Sequence, residues 1–303
     1  MRLGTRGSAL ALVQAEQVAE SLGGAEIVTI RTSGDEGSPA AGEPGPGGDK
    51  ARFVTEIERA LLDGEIDLAV HSAKDLPTEL PEGLAIAGVP AREDPRDAYV
   101  GEGGTFGEVA EGARVGTSSL RRRAQLLAAR PDLEVVEMRG NVDTRLRKLA
   151  DGDLDGIVLA SAGLRRLGRA DEASFAFDRE ILTPAAGQGS LAIEARPDHT
   201  QAVTAAQTLT DREALGRLGC ERAAVSALGA NCDTPVGAHA WIESDRMLVH
   251  GFCGLPDGSE WIRDTAEGDA SGPGAIGELL ADRMKAAGAE ELLARAAEMA
   301  EAK

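Results

Sequence analysis

The chain is poor in cysteine, in aromatic side chains and in long apolar runs, and each shortage removes a class of explanation. Its 303 residues include three cysteines, Cys220, Cys232 and Cys253. Their wide, irregular spacing makes neither a disulfide framework nor a zinc ligand set, so no metal is expected. No apolar stretch is long enough to span a bilayer, and the opening Met1-Arg-Leu-Gly-Thr-Arg-Gly7 lacks an apolar signal core. A reducing, cytoplasmic setting without membrane contact is the expectation. Aromatic residues make up only 3%, so the cores are expected from Ala, Leu, Val and Ile. Trp241 and Trp261 lie in strand-like runs and read as core. No G-x-x-x-x-G-K loop is present, no G-x-G-x-x-G follows the first strand, and no histidine pair has metal spacing.

Positive charge is scarce too. The formal net charge is −19, which argues against nonspecific nucleic-acid binding. What basic charge there is clusters: residues 118–148 hold eight basic side chains against four acidic ones, whereas 257–303 hold five against eleven. A basic patch in an acidic protein suits a small anionic ligand. Arginine outnumbers lysine 27 to 5, as fits bidentate grip on carboxylate or phosphate.

The periodicities predict an α/β protein. Strands at 2–5, 26–31, 67–71 and 84–89 alternate with helices at 8–22 and 52–62. A long Gly/Pro/Ser-rich loop over 32–49 interrupts this first unit and is expected to be mobile. A second α/β unit follows, with strands at 113–116, 133–138 and 155–160 and helices at 118–129, 142–150 and 162–167. A strand at 191–195 and a helix from Thr200 return the chain to the first unit. Beyond a helix at 211–228, three strand-like runs and two Ala-rich helices read as a small α+β domain. The expected division is 1–92 with 188–210, then 93–187, then 211–303. Two α/β lobes facing each other suit an anionic ligand, because strand ends and helix N-termini point into the gap.

Three strand-to-helix turns share one design: Thr5-Arg-Gly-Ser8, Gly116-Thr-Ser-Ser-Leu-Arg-Arg122 and Arg139-Gly-Asn-Val-Asp-Thr-Arg145. Each pairs a hydroxyl or Asn cap with an arginine. Any one alone reads as an ordinary cap beside a solvated guanidinium. Three in two matching lobes point to several bound anionic groups. The loop Val70-His-Ser-Ala-Lys-Asp-Leu-Pro77 places Ser72, Lys74 and Asp75 at a strand end, where a carboxylate can steady a cation or shuttle protons. His71 alone reads as a satisfied core histidine. Cys220 and Cys253 read as core. Cys232, in Gly229-Ala-Asn-Cys-Asp-Thr-Pro-Val-Gly237, sits among turn formers and is expected exposed, as nucleophile, metal ligand or redox sensor.

Taken together with Arg92-Glu-Asp-Pro-Arg-Asp-Ala98 and Pro184-Ala-Ala-Gly-Gln-Gly189, these stretches resemble the porphobilinogen deaminase (hydroxymethylbilane synthase) family, in family order across most of the chain. The resemblance implies two periplasmic-binding-protein-like lobes and a smaller α+β domain. It implies a transferase of tetrapyrrole, hence heme, biosynthesis: four porphobilinogens join a dipyrromethane primer one by one with loss of ammonia, and hydroxymethylbilane is released by hydrolysis. By the same resemblance the primer is a thioether on Cys232, and Asp75 is the catalytic carboxylate that stabilises the positive charge developing as the aminomethyl group leaves. Arg6, Ser8, Lys74, Ser119, Arg121, Arg122, Arg139, Arg145 and Arg166 match carboxylate-binding positions. Arg165 is a substitute for Arg166. Gln188 and Ser72 match cleft positions, and Asp35, Lys50 and Phe53 match a flexible loop. That loop departs from the family pattern, with Gly48-Asp-Lys-Ala-Arg-Phe53 where Gly-Gly-Lys-Gly-Leu-Phe is common. A monomer is the family expectation. The competing reading is a two-lobed binding protein for a polycarboxylate, without catalysis.

Overall fold

The computed structural model describes residues 1–32, 54–231 and 233–301. Asp35, Lys50, Phe53 and Cys232, together with most of the expected mobile loop, lie outside the described residues.

Two five-stranded sheets carry the chain. The first has the order β2-β1-β3-β10-β4, built from β1 (Arg2–Arg6), β2 (Glu26–Ile30), β3 (Leu68–Ser72), β4 (Ala85–Gly88) and β10 (Leu191–Ala195). The second has the order β7-β6-β8-β5-β9, from β5 (Asp97–Gly101), β6 (Arg114–Gly116), β7 (Glu134–Val136), β8 (Gly156–Ala160) and β9 (Phe175–Ala176). The sheets share a plan. In each, three strands run parallel and the fourth position is taken by an antiparallel strand that arrives from the other unit, β10 in the first and β5 in the second. The chain therefore crosses between lobes twice, near 89–96 and 184–190. Gly189 sits on the second crossing at φ +88°, and a Cβ there would meet the Glu93 carbonyl of the first crossing at 2.3 Å. Only glycine allows the two crossings to lie that close.

Helices α1 (Ala9–Ser21) and α2 (Thr55–Leu62) cover the first sheet, and α3 (Leu120–Ala129), α4 (Val142–Ala150) and α5 (Ser161–Arg166) serve the second. After α6 (Thr200–Thr208), helix α7 (Arg212–Ala227) leads to an antiparallel sheet of β11 (Val236–Glu243), β12 (Arg246–Gly254) and β13 (Trp261–Asp269). Helices α8 (Pro273–Ala286) and α9 (Ala289–Glu301) close that third unit. At Gly277 of α8 a Cβ would meet the Cys220 carbonyl of α7 at 2.2 Å, so those two helices touch backbone to backbone.

Every expected helix and strand among the described residues exists, with ends shifted by a few residues. Strands β5 and β9 were not foreseen. The expectation for the cores needs two corrections. Tyr99, Phe175, Phe177 and Phe106 form one aromatic cluster inside the second lobe, so the scarce aromatics are concentrated where they count. Trp261 is not core but 48% exposed on an edge strand, and Trp241 is half-buried beneath the Arg179 guanidinium, 4.1 Å from its ring centre. Cys220 and Cys253 are core as expected, and burial pushes both thiols up to about 12.

Candidate active site

The three strand-to-helix turns all form caps. Ser8 Oγ accepts from the Ala11 amide at 3.3 Å, Ser119 Oγ from Arg122 at 3.4 Å and Asn141 Oδ1 from Thr144 at 2.9 Å. Each is in extended backbone just before its helix, as a cap requires. Arg6 ends β1 two residues before the first cap. Lys74 and Asp75 stand on a single 3-10 turn, Ala73–Asp75, directly after β3, and both are half-buried. Two contacts hold that turn: the Ala73 amide donates to the Ser190 carbonyl at 3.0 Å, and the buried Gln14 amide donates to Ser72 Oγ at 3.0 Å.

Gln188 joins the lobes. Its side-chain oxygen Oε1 accepts from Lys74 Nζ at 3.5 Å on the first-lobe side. Its amide nitrogen donates to the Pro95 carbonyl at 2.6 Å and to Asp97 Oδ1 at 3.1 Å on the other. Asp97, wholly buried, is the hub of the basic patch. Arg121 meets it with two nitrogens at 2.8 and 3.2 Å, and Arg122 with Nε at 2.9 Å. Burial alone would push the Asp97 carboxyl up; Arg121 and Arg122 outweigh it and hold it far below the usual carboxylate range. Arg121 also donates to the Thr183 carbonyl and Arg122 to that of Val158. Both guanidiniums are thus fixed by interior partners and are 4% and 6% exposed.

Arg145 and Arg166 are different. Arg145 donates to the Gly140 carbonyl at 2.7 Å and to Ser118 Oγ at 3.1 Å, and Arg166 to the Gly189 carbonyl at 2.8 Å. Neither forms an ion pair with a carboxylate among the described residues, although the Glu93 charge acts on Arg166. Burial, then the neighbouring Arg122 charge, lowers the Arg145 guanidinium to about 10, and burial lowers that of Arg166. Arg139 is exposed and pairs with Glu137 at 2.7 Å. Arg165 turns the other way, toward Glu93 and Asp94. Arg123 ties α3 to the Pro256 carbonyl and takes no part in the cluster.

A second buried hub lies where the crossings meet the third unit. Arg92 binds Glu221 of α7 with two nitrogens at 2.7 and 3.1 Å, and its Nε donates to the Gln188 carbonyl at 2.9 Å. Glu221 also accepts from the Gly187 and Ala240 amides. Asp97, Arg92, Glu221 and Gln14 were all missed as site-forming residues. The signal for the first two lay in Arg92-Glu-Asp-Pro-Arg-Asp-Ala98, where acids and arginines alternate beside a strand.

Family models match nearly the whole chain: "Porphobilinogen deaminase, dipyromethane cofactor binding domain" over residues 1–204 and "Porphobilinogen deaminase, C-terminal domain" over 216–286. The chain belongs to the porphobilinogen deaminase family. It is 44% identical to the porphobilinogen deaminase of Trichlorobacter lovleyi, covering 97% of this chain and 95% of that one. It is 45% identical to the enzyme of that name from Deinococcus radiodurans, covering 96% and 97%. A looser likeness is to a TRAP periplasmic solute binding protein from Roseobacter denitrificans, at 14% identity and TM-score 0.37, covering 76% of this chain and 86% of that one. Membership makes the chain an enzyme, a transferase of tetrapyrrole biosynthesis with a dipyrromethane cofactor, and not a binding protein without catalysis. No helix among the described residues is long and apolar enough to cross a membrane.

Proposed function

We propose that the chain condenses four porphobilinogens head to tail on a dipyrromethane held by Cys232 as a thioether, and that Asp75 is the carboxylate at the reacting ring. The observation that carries this reading is a pair of half-buried arginines, Arg145 and Arg166, that make no ion pair among the described residues. Arg145 and Arg166 are taken partly out of water with no carboxylate in ion-pair contact among the described residues, a cost that a bound carboxylate repays. Each pyrrole of the cofactor and substrate carries an acetate and a propionate, so a donor set rich in arginine fits the group in the sign of its charge. When bound, the dipyrromethane supplies the pyrrole end to which the first porphobilinogen is added.

The chain's own residues have separable roles in this scheme. Asp75, at a strand end and half-buried, faces the pyrrole N–H groups of substrate and stabilises the positive charge that develops as ammonia departs. Lys74, beside it and linked to Gln188, sets the spacing between lobes. Ser8 and Ser119 offer hydroxyls and helix N-termini to carboxylates, with Arg6, Arg139, Arg145 and Arg166 around them. Arg121 and Arg122 present a rigid positive wall, because Asp97 holds them in place while their charges sum to more than its own. Ser72 fixes the turn through Gln14. Cys232 is the tether on the third unit, after α7, and the hub at Glu221 joins that unit to both crossings. The same reading divides the chain into 1–92 with 188–210, 93–187 and 211–303, a division that the grouping of strands into three sheets supports. A cytoplasmic monomer that takes porphobilinogen and binds no nucleic acid belongs to the same reading.

Intact mass spectrometry tests the anchor. The purified protein is expected to carry an adduct of dipyrromethane mass that maps to Cys232 and is absent from Cys232→Ser. An unmodified protein with full activity would refute the scheme.

A further inference from the structure

Glu58 on α2, His71 on β3 and Glu194 on β10 meet on one face of the first sheet, outside every role assigned above. The register puts them there: Glu194 opposes Ala69 and His71 opposes Ala192, and opposed residues of an antiparallel pair share a face. Helices α2 and α7 cover that face, since Ala69 packs with Ile57 and Leu61 and Ala192 with Ala214 and Leu218. The three residues are 7%, 5% and 0% exposed. His71 Nε2 and Glu194 Oε2 lie 3.2 Å apart, within ion-pair range but off the hydrogen-bonding direction. Glu58 Oε1, His71 Nε2 and both Glu194 oxygens have no hydrogen-bond partner among the described residues. Two carboxyls and an imidazole in so dry a place are costly, and alanine or leucine would fill the face at less expense.

Their position suggests what the cost is for. His71 runs straight into Ser72 and the Ala73–Asp75 turn, and Leu191, three residues before Glu194, pairs with Ser72. At about 3.3 Å per strand residue, Glu194 lies roughly 10 Å along β10 from the level of Ser72, where the turn that carries Asp75 begins. Burial first, then Glu194, raises the Glu58 carboxyl to about 7, with His71 opposing. From α7, Arg222 faces Glu194 and donates to the Pro77 and Thr78 carbonyls just beyond the turn. Among the described residues, Glu194 and His71 are thus the charges that act on Glu58, and Arg222 acts in turn on Glu194.

We propose that Glu58, His71 and Glu194 form a supporting charge cluster that adds negative potential beneath Asp75 once its acid has given its proton to solvent. This rests on the reading of Asp75 as the group that meets the developing cation. One buried anion roughly 10 Å away, at an effective dielectric of about 20, corresponds to a roughly ten-fold change in rate. The gain is switched on as pH rises through neutrality.

The test measures kcat and KM of the cofactor-bearing enzyme and its Glu58→Gln variant across neutral pH. The wild-type-to-variant ratio of kcat is expected to grow about five- to ten-fold between about pH 6 and 8.5, with KM changed less than about two-fold. Glu58→Asp, which restores an ionisable group, is expected to regain the pH dependence. A ratio that stays constant across the range overturns the proposal, including a variant slowed equally at every pH, which marks a packing role. Asp75→Asn, measured beside it, separates the two readings. If that variant keeps wild-type turnover, the assignment of Asp75 falls and the cluster's role with it. If it is inactive while the Glu58→Gln ratio is flat, only the cluster falls.

Discussion

Replacing Glu221 by leucine should unseat the junction of all three units, and the size of the effect follows from what the carboxylate holds. Arg92 and Glu221 expose 3% and 0% of their side chains and form a two-pronged pair. Breaking a buried pair by removing one partner costs about 3–5 kcal/mol, because the other charge is left stranded. The Gly187 and Ala240 amides lose their acceptor as well, at about 1–3 kcal/mol each when buried and unmet. These penalties overlap, so the single variant should lose about 4 kcal/mol or more, a large part of a typical total of about 5–15. Removing both charges in Arg92→Met with Glu221→Leu should recover about 2 kcal/mol relative to Glu221→Leu alone, since the stranded guanidinium is gone. The assay is urea unfolding followed by far-UV circular dichroism and by tryptophan fluorescence. Both tryptophans lie in the third unit, on β11 and β13, so coincidence of the two curves tells whether the lobes and that unit still unfold as one. Strict additivity in the double-mutant cycle, or a loss below about 1 kcal/mol in Glu221→Leu, would refute the hub as described.

The same carboxylate sets an acid limit. Burial pushes Glu221 up, but Arg92 and His239 outweigh it and hold it at about 2 against 4.5. In that window the unfolded chain binds more protons, so stability rises with pH: the contribution, up to about 3 kcal/mol, is present above the unfolded pKa and is lost as pH falls toward the folded one. Urea midpoints of Glu221→Gln should therefore depend less on pH in that range than those of the wild type, and parallel pH profiles would count against the pairing. Along α8, Gly277→Ala forces a Cβ to 2.2 Å from the Cys220 carbonyl, whereas Gly274→Ala opens onto free space. The first should lower stability by about 1–3 kcal/mol and the second raise it by about 0.5; equal melting temperatures would disprove the close approach of α7 and α8.

The local rules of the chain were enough to place most elements, and the failures have physical causes. Caps were legible because Ser8, Ser119 and Asn141 are short-range devices whose partners lie three residues on. Strand β5 was not, because its single partner rule is long-range: Asp97–Gly101 is short, begins with an acid and pairs with β8 and β9 from far along the chain. The patch of arginines was visible as a count of charge, yet the count treated all of them alike. Geometry divides them into Arg121 and Arg122, which share the single charge of Asp97, and Arg145 and Arg166, which make no ion pair among the described residues. No periodicity distinguishes these, since what matters is which carboxylate a different strand brings underneath. Trp261 went astray for a related reason: it opens the edge strand of a three-stranded sheet, where only the Arg263 guanidinium stacks on its ring among the described residues and 48% of it is exposed.

That division also answers how a chain of net charge −19 binds polyanions. At physiological salt, exposed charges are screened beyond about 8 Å, so the acidic surface at large contributes little at the site, and the local arrangement decides. A cluster of arginines with no acid among them would repel itself and splay. Asp97 prevents this by taking one unit of charge from the two innermost guanidiniums and anchoring both, leaving net positive charge on a rigid base. Rigidity matters because a tethered product must be gripped and released as it lengthens, and a grip made of fixed partners loses little order at each step. The buried acids Asp97 and Glu221 therefore do for the cations what α-helix caps do for amides: they meet the hydrogen-bonding demand of guanidiniums that the fold takes out of water.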